Sequence, residues 1–277
     1  MFYRFGLVGE NISYSLSPAI FEWGLREAGL SGEYRVHDIS LEELPLLIRQ
    51  KDWDGLSVTV PYKRPVYELC SDLTARASIT GAVNTLYRKK NNLYGDNTDV
   101  LGFQLALSRR WIYSDDVRRA LIIGSGGAAR AVLVALGQSF APLSLTVACR
   151  NPESARDDLG SLLDQFIPVQ CCSLDQASHE LASFDLVVQA TPVGGVRVPG
   201  SVLPKPWVFK KNALVFDLIY APRITEFLKT AEKCGADTEN GLVMLIAQAA
   251  ASFEIWTRMP FPLEHALKNL LPELQAA

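Results

Sequence analysis

The chain has 277 residues, enough for two domains of ordinary size or one large one, and its 48% hydrophobic and 21% charged residues are the balance of a soluble globular protein with a full core. A net charge of −3 and a pI near 5.7 exclude the basic excess of a dedicated nucleic-acid binder. No apolar run is long enough to span a bilayer, and Met1 to Gly6 lacks the apolar stretch and cleavage site of a signal peptide. Five cysteines without C-x-x-C spacing and three scattered histidines predict reduced thiols in a cytosolic protein, with no zinc or histidine-triad chemistry.

The first hundred residues alternate between strand and helix patterns. Tyr3–Val8, Tyr34–Ile39 and Leu56–Val60 read as strands, and Pro18–Ala28 and Leu41–Gln50 as helices. That alternation predicts a mostly parallel sheet covered by helices, an α/β fold. Val83–Arg88 and Leu93–Gly95 flank the polar tip of a hairpin at Lys89–Asn92, and Val100–Trp111 has helical spacing. A second domain opens at Arg119 with the buried-strand run Ala120–Ile123, followed by a helix at Ala128–Leu136 and strands at Ser144–Ala148, Leu186–Gln189 and Leu214–Asp217. A helix at Thr225–Lys233 leads into Ala236–Asn240. Two final helices, Gly241–Thr257 and Pro262–Leu274, fit either domain by pattern alone.

Gly124-x-Gly126-x-x-Ala129 matches a dinucleotide fingerprint, and here it follows a strand and opens a helix, which is the context that gives the match a mechanism. Glycines let the backbone approach a pyrophosphate, and the helix N-terminus presents oriented N–H groups. A glycine turn without a ligand is the plainer alternative. About 25 residues on, an NAD site would place an acidic residue; Ala148-Cys149-Arg150-Asn151 places an arginine instead, with Arg156 nearby. Arginine suits a 2′-phosphate and favours NADP over NAD, although a solvated surface arginine would look the same.

Upstream, Ser17 before Pro18 reads as an N-cap with proline at the first helical position, which leaves Ser15 unexplained; two hydroxyls at a helix start suit a carboxylate. Thr59 and Lys63 leave the end of a strand, where open α/β sheets place ligands. Asn84, Thr85 and Asp99 add groups suited to vicinal hydroxyls. A lysine beside a carboxylate can exchange protons with a substrate hydroxyl or carbonyl. Each residue also has an ordinary role: Asp99 as a cap for the helix at Val100, Lys63 as a solvated lysine, Gln248 as a satisfied core amide.

Together these residues resemble the shikimate dehydrogenase family. The motifs are Ser15-Leu16-Ser17-Pro18, Val58 to Lys63, Gly81 to Thr85, Gly95 to Asp99, Gly124 to Arg130, Ala190 to Gly194, Asp217 to Pro222 and Asn240 to Gln248, in family order over nearly the whole chain. The resemblance implies two domains, an N-terminal α/β substrate domain over 1–100 completed by 241–277, and a Rossmann-type NADP domain over 101–240. It implies the reversible NADP-dependent reduction of 3-dehydroshikimate to shikimate in aromatic amino-acid biosynthesis. Lys63 would be acid and base with Asp99 as partner. Ser15 and Ser17 would hold the substrate carboxylate, and Thr59, Asn84, Asp99 and Gln248 its hydroxyls, with Tyr220 close by. Gly124, Gly126, Gly127, Ala128, Arg150, Thr191 and Gly241 would contact the cofactor, and no metal is required. The expected partners are small molecules alone, with no nucleic acid or membrane, in a cytoplasmic monomer or homodimer.

Three positions depart from the family pattern. Ser57 stands where asparagine is usual, and Phe21-Glu22 replaces His-Asn. Cys149-Arg150-Asn151 replaces Asn-Arg-Thr, with Ser154 in place of a second arginine. These leave open an NAD-using quinate/shikimate dehydrogenase and a ligand-sensing relative without turnover. Retention of Lys63, Asp99 and the glycine loop favours an active enzyme.

Overall fold

The structure, a computed structural model, describes residues 1–90, 92–110, 119–140, 144–164 and 169–276. It divides into two compact units, Met1–Phe103 with Leu245–Ala277, and Gln104–Met244. Trp111, expected to end a helix, and Asn91, in the expected hairpin tip, lie outside the described residues.

In chain order the first part holds β1 (Phe2–Gly9), α1 (Ser17–Glu27), β2 (Ser31–Asp38), α2 (Leu44–Arg49), β3 (Gly55–Val58), α3 (Lys63–Leu69), β4 (Asp72–Leu73), α4 (Ala75–Thr80), β5 (Thr85–Lys89), β6 (Asn92–Asp96) and α5 (Asp99–Arg110). The strands form one sheet in the order β2-β1-β3-β5-β6-β4. β1 pairs parallel with β2 and β3, and β4 with β6, whereas β5 runs antiparallel to both its neighbours. The short β5–β6 connection forces this, because parallel neighbours need a long crossover. Leu56 and Val58 of β3 point into a core with Val8, Leu44, Trp53, Tyr62, Val66 and Leu86. Each such fully buried side chain contributes on the order of 1.5–3 kcal/mol.

The second part holds β7 (Arg119–Ile123), α6 (Gly127–Ser139), β8 (Ser144–Cys149), α7 (Pro152–Asp164), β9 (Val169–Ser173), α8 (Leu174–Glu180), β10 (Leu186–Gln189), β11 (Leu214–Asp217), α9 (Glu226–Lys233) and β12 (Asp237–Asn240). The sheet order is β12-β11-β10-β7-β8-β9, and every pair is parallel. The chain winds outward from β7 through β8 to β9, then returns to β10 beside β7 and winds the other way, which is the doubly wound dinucleotide-binding order. Its inner strands are apolar without alternation, since both faces are covered: Ala120 to Ile123, Leu186 to Val188 and Leu214 to Phe216 are all buried.

The C-terminal part holds α10 (Leu242–Thr257), α11 (Leu263–His265), a π-helical turn (Ala266–Leu270) and α12 (Leu271–Ala276). The helix expected over Pro262–Leu274 therefore runs continuously from Leu263 to Ala276, with a π-helical turn inside it. Pro272 has no N–H for an i→i−4 bond, and its ring crowds the carbonyl of Lys268, so the ladder widens just before it. α10 is apolar around most of its surface. Within the first unit it lies over the sheet, where a Cβ added at Gly55 would come within 2.3 Å of the Trp256 ring. Phe5, Phe21 and Trp256 stack there, with ring centroids 4.8–6.2 Å apart. No helix among the described residues is long and apolar enough to cross a membrane.

Candidate active site

The first unit brings Lys63 and Asp99 together across 36 residues of sequence. After β3 the chain turns through Thr59–Tyr62, with the Tyr62 N–H donating to the Thr59 carbonyl at 2.9 Å, and Lys63 becomes the first residue of α3. The Lys63 carbonyl accepts the Val83 N–H at 2.9 Å, which pins α3 beside the segment that carries Asn84. Asp99 is the first residue of α5. Lys63 Nζ donates to Asp99 Oδ2 at 2.5 Å, with side-chain exposures of 14% and 7%. At such burial the pair is shielded from the screening that makes surface ion pairs weak.

Asn84 braces the carboxylate from its other side. Its Nδ2 donates to Asp99 Oδ1 at 2.9 Å, to Thr98 Oγ1 at 2.9 Å and to Gln248 Oε1 at 3.3 Å, while its Oδ1 accepts the Thr98 N–H at 2.7 Å. Gln248 on α10 also donates to the Leu245 carbonyl at 2.8 Å. Asn84, Asp99 and Gln248 are thus a connected polar group in the buried interior of one unit. Thr59 is partly buried and is the first residue after β3, two past Ser57. Ser57 itself is buried, and its hydroxyl has no hydrogen-bond partner among the described residues.

The serine pair is arranged differently from the expectation. Leu16 is already in the right-handed helical region, so Ser17 is the first residue of α1 rather than its cap, and no side chain caps from Leu16. Ser15 fills the role: its Oγ accepts the Ser17 N–H at 3.2 Å and donates to Ser17 Oγ at 3.2 Å. The loop before them is held by Asp38, whose two oxygens accept the N–H groups of Asn11 at 2.6 Å and Ile12 at 3.0 Å. Asp38 was not legible as an anchor, because it acts 26 or more residues from its partners.

The second unit carries the glycine loop. Gly124 follows β7 at φ +115, a backbone angle that favours glycine, and a Cβ there would meet Thr191 Cγ2 at 2.9 Å. Gly126 is the N-cap of α6 with no side-chain cap, and a Cβ there would meet nothing within 4 Å. Gly127 and Ala128 open the helix. A bare helix N-terminus with open space before it fits a pyrophosphate. β10 lies beside β7, so the loop with Thr191 meets the glycine loop at the point where the winding reverses. That loop is clamped by the buried Gln189, whose Nε2 donates to the carbonyls of Thr191 and Val193 at 3.0 Å each.

Gly241 is tighter still: a Cβ would stand 2.1 Å from the Leu218 carbonyl oxygen, so this close crossing needs glycine. Tyr220, partly buried, lies in this unit on the loop after β11. The root of that loop is Asp217, which accepts the Ile219 N–H at 3.0 Å and the Thr225 hydroxyl at 2.7 Å. Burial pushes its carboxyl up to about 6, against the partial relief of those two bonds. Arg150 is exposed at the end of β8, where a 2′-phosphate would be read. Arg156 instead lies beside Cys171 on β9, where its charge partly offsets the rise that burial gives the thiol. Among the described residues no group of three or more His, Cys, Asp or Glu side chains is placed to hold a metal ion.

Comparison with known proteins gives this geometry a lineage. A family model for the shikimate dehydrogenase substrate binding domain matches residues 7–86, and one for the shikimate 5′-dehydrogenase C-terminal domain matches residues 241–271. A shikimate dehydrogenase (NADP(+)) of Exiguobacterium is 36% identical over 254 residues, 91% of each chain. The shikimate 5-dehydrogenase of Thermus thermophilus, solved with NADP(H) and shikimate, superposes with a TM-score of 0.81 at 29% identity, covering 99% of this chain and 98% of that one. A quinate dehydrogenase of Corynebacterium glutamicum, solved with NAD, gives 0.82 at 26% identity over 98% and 99%. The chain belongs to the shikimate dehydrogenase family.

Proposed function

We propose that this member of the shikimate dehydrogenase family catalyses the reversible, NADP-dependent reduction of 3-dehydroshikimate to shikimate in aromatic amino-acid biosynthesis, with Lys63 as proton donor and acceptor. The observation that carries the reading is the buried Lys63–Asp99 pair at 2.5 Å, braced by Asn84. When bound, NADP supplies the acceptor or donor of hydride. As a ring carbonyl is reduced, negative charge grows on its oxygen; the Lys63 ammonium stabilises that charge and delivers the proton, and in the oxidative direction its amine takes it back. Asp99, held by Asn84, orients Lys63 and balances its charge.

The remaining roles follow from chemistry and position. Ser15 and Ser17, two hydroxyls at the start of α1, bind the substrate carboxylate. Thr59, Asn84, Asp99 and Gln248 take its hydroxyls, and the unpartnered hydroxyl of Ser57 is a further contact. Tyr220 completes the substrate set. Gly124, Gly126, Gly127, Ala128, Thr191 and Gly241 supply the glycine-lined bed for the cofactor, and Arg150 reads its 2′-phosphate. In this reading the enzyme is cytoplasmic and acts as a monomer or homodimer on small molecules, with no nucleic acid or membrane partner.

Ser57 favours a second reading worth carrying, oxidation of quinate with NAD. The shorter side chain offers a hydroxyl where the usual asparagine would offer a carboxamide. One assay decides: initial rates with shikimate and quinate, each with NADP and NAD. Preference for shikimate with NADP is expected. Clear preference for quinate with NAD overturns the first reading, and no turnover with any pairing promotes a ligand-sensing role.

A further inference from the structure

Beneath Asn84 lies a knot of three hydroxyls that the chemistry above does not use. Thr85, Thr98 and Ser252 are all 0% exposed. Thr85 Oγ1 lies 2.7 Å from Ser252 Oγ, Thr98 Oγ1 lies 3.0 Å from it, and the two threonine oxygens are 3.1 Å apart. Ser252 sits one helical turn after Gln248 on α10 and donates to the Gln248 carbonyl at 3.0 Å. We infer that this knot is a positioning device: it holds the Asn84 carboxamide in the orientation that delivers an N–H to Asp99, and through Asp99 it sets Lys63. The inference rests on the proposed roles of Lys63 and Asp99.

The proton count makes the argument. A hydroxyl has one proton. When Ser252 gives its proton to the Gln248 carbonyl, towards both threonines it only accepts. In that arrangement Thr98 gives its proton to Ser252 and accepts from Asn84 Nδ2 at 2.9 Å. The peptide N–H of Thr98 is an obligatory donor and fixes Asn84 Oδ1 on its own side at 2.7 Å. Donation therefore runs one way, from Asn84 through Thr98 and Ser252 to a helix carbonyl. Of the two Asn84 N–H groups, one serves Thr98 and the other faces Asp99 Oδ1 at 2.9 Å, with Gln248 Oε1 the more distant acceptor at 3.3 Å.

Without the Ser252 oxygen, the two threonine hydroxyls are left with each other's oxygen at 3.1 Å and with Asn84 Oδ1. Thr85 and Thr98 both reach Asn84 Oδ1, at 3.0 and 3.1 Å, where the Thr98 N–H already donates. Even with one threonine donating to the other, at least one hydroxyl proton then turns to Asn84 Oδ1, adding a donor beside the Thr98 N–H and pulling on the carboxamide. Displacing it shifts Asp99, and misplacement near the reacting centre on the order of 1 Å costs about 100-fold in rate.

The test uses the full chain, with wild-type turnover of shikimate and NADP as its first arm. Ser252→Ala keeps helix propensity, while Thr98→Val removes a hydroxyl at nearly constant shape and Thr98→Ser keeps it. In Ser252→Ala and Thr98→Val, kcat is expected to fall about 10- to 100-fold with KM for shikimate within about threefold. The kcat–pH profile should also depart from that of wild type. Thr98→Ser should stay within about threefold of wild type in kcat. Unchanged kcat and pH profile in Ser252→Ala, whatever its melting temperature, would overturn the positioning role while leaving the proposed function standing. If Thr98→Val does not fold, Ser252→Ala decides by the same criterion. Absence of wild-type turnover would overturn both.

Discussion

Removing Lys63 and Asp99 singly and together tests whether they act as one unit. Lys63→Met keeps much of the apolar stem and removes the ammonium; Asp99→Asn keeps an oxygen for Asn84 and removes the charge. Loss of a positioned general acid costs about 10²–10⁴ in rate, so Lys63→Met should lower kcat about 10³-fold, or about 4 kcal/mol at 1.36 kcal/mol per decade. Asp99→Asn removes the partner 2.5 Å from Nζ and should cost about 10²-fold, near 2.7 kcal/mol. Independent residues would add to about 10⁵-fold, roughly 6.8 kcal/mol. Residues that act only through each other do not add, so the double variant should fall only about 10³-fold, like Lys63→Met alone. Reduced-cofactor absorbance in initial-rate assays, at saturating shikimate, reads all four corners of the cycle. An additive double variant, or wild-type turnover in Lys63→Met, would refute the pairing.

Three further outcomes follow from other parts of the molecule. Gly241→Ala places a Cβ 2.1 Å from the Leu218 carbonyl and should cost at least about 2 kcal/mol in urea unfolding; an unchanged midpoint would show that the crossing relaxes freely. Burial raises Asp217 from 3.8 to about 6, so between those values the folded state keeps a proton that the unfolded state has released, and stability falls as pH rises. A gap of about two units is worth about 3 kcal/mol, so Asp217→Asn should gain about that much on wild type between about pH 4 and 7, and a flat difference would contradict it. Ser57→Ala removes a buried hydroxyl without a protein partner; it should stabilise the ligand-free protein by about 1 kcal/mol and raise KM for shikimate about fivefold, and a loss of stability would show that the hydroxyl is already satisfied.

The recurring strand and helix periods read well from sequence because each depends on neighbours within one element. β1, β3, β7, β8 and β10 fall within a residue or two of their expected places, and the glycine loop stands between β7 and α6 as its spacing implies. Short elements were not legible. α3 and α4 hold fewer than two helical turns and β4 has two residues, too few to repeat a pattern, and Lys63, read as the end of a strand, in fact opens a helix. The cap at α1 shifted by two residues for a related reason: Leu16 already has helical angles, and nothing in Ser-Leu-Ser-Pro says which serine accepts the N–H.

At the site, residue types were legible from motifs and connections were not. The runs holding Lys63, Asn84, Asp99 and Gln248 mark a polar group at strand ends and on an apolar helix, and family resemblance attaches roles to them. Only the fold decides that Asn84 donates to Asp99, that Ser252 closes the hydroxyl knot, and that Ser57 is left without a partner. Those facts depend on hydrogen-bond distances between residues as far apart as Thr85 and Ser252, set by the register of β5 against β3 and by the seating of α10 on the sheet. Local pattern determines which side chains are offered to a face. Which donor meets which acceptor is determined when distant elements pack, since a hydrogen bond is made or lost within about half an ångström.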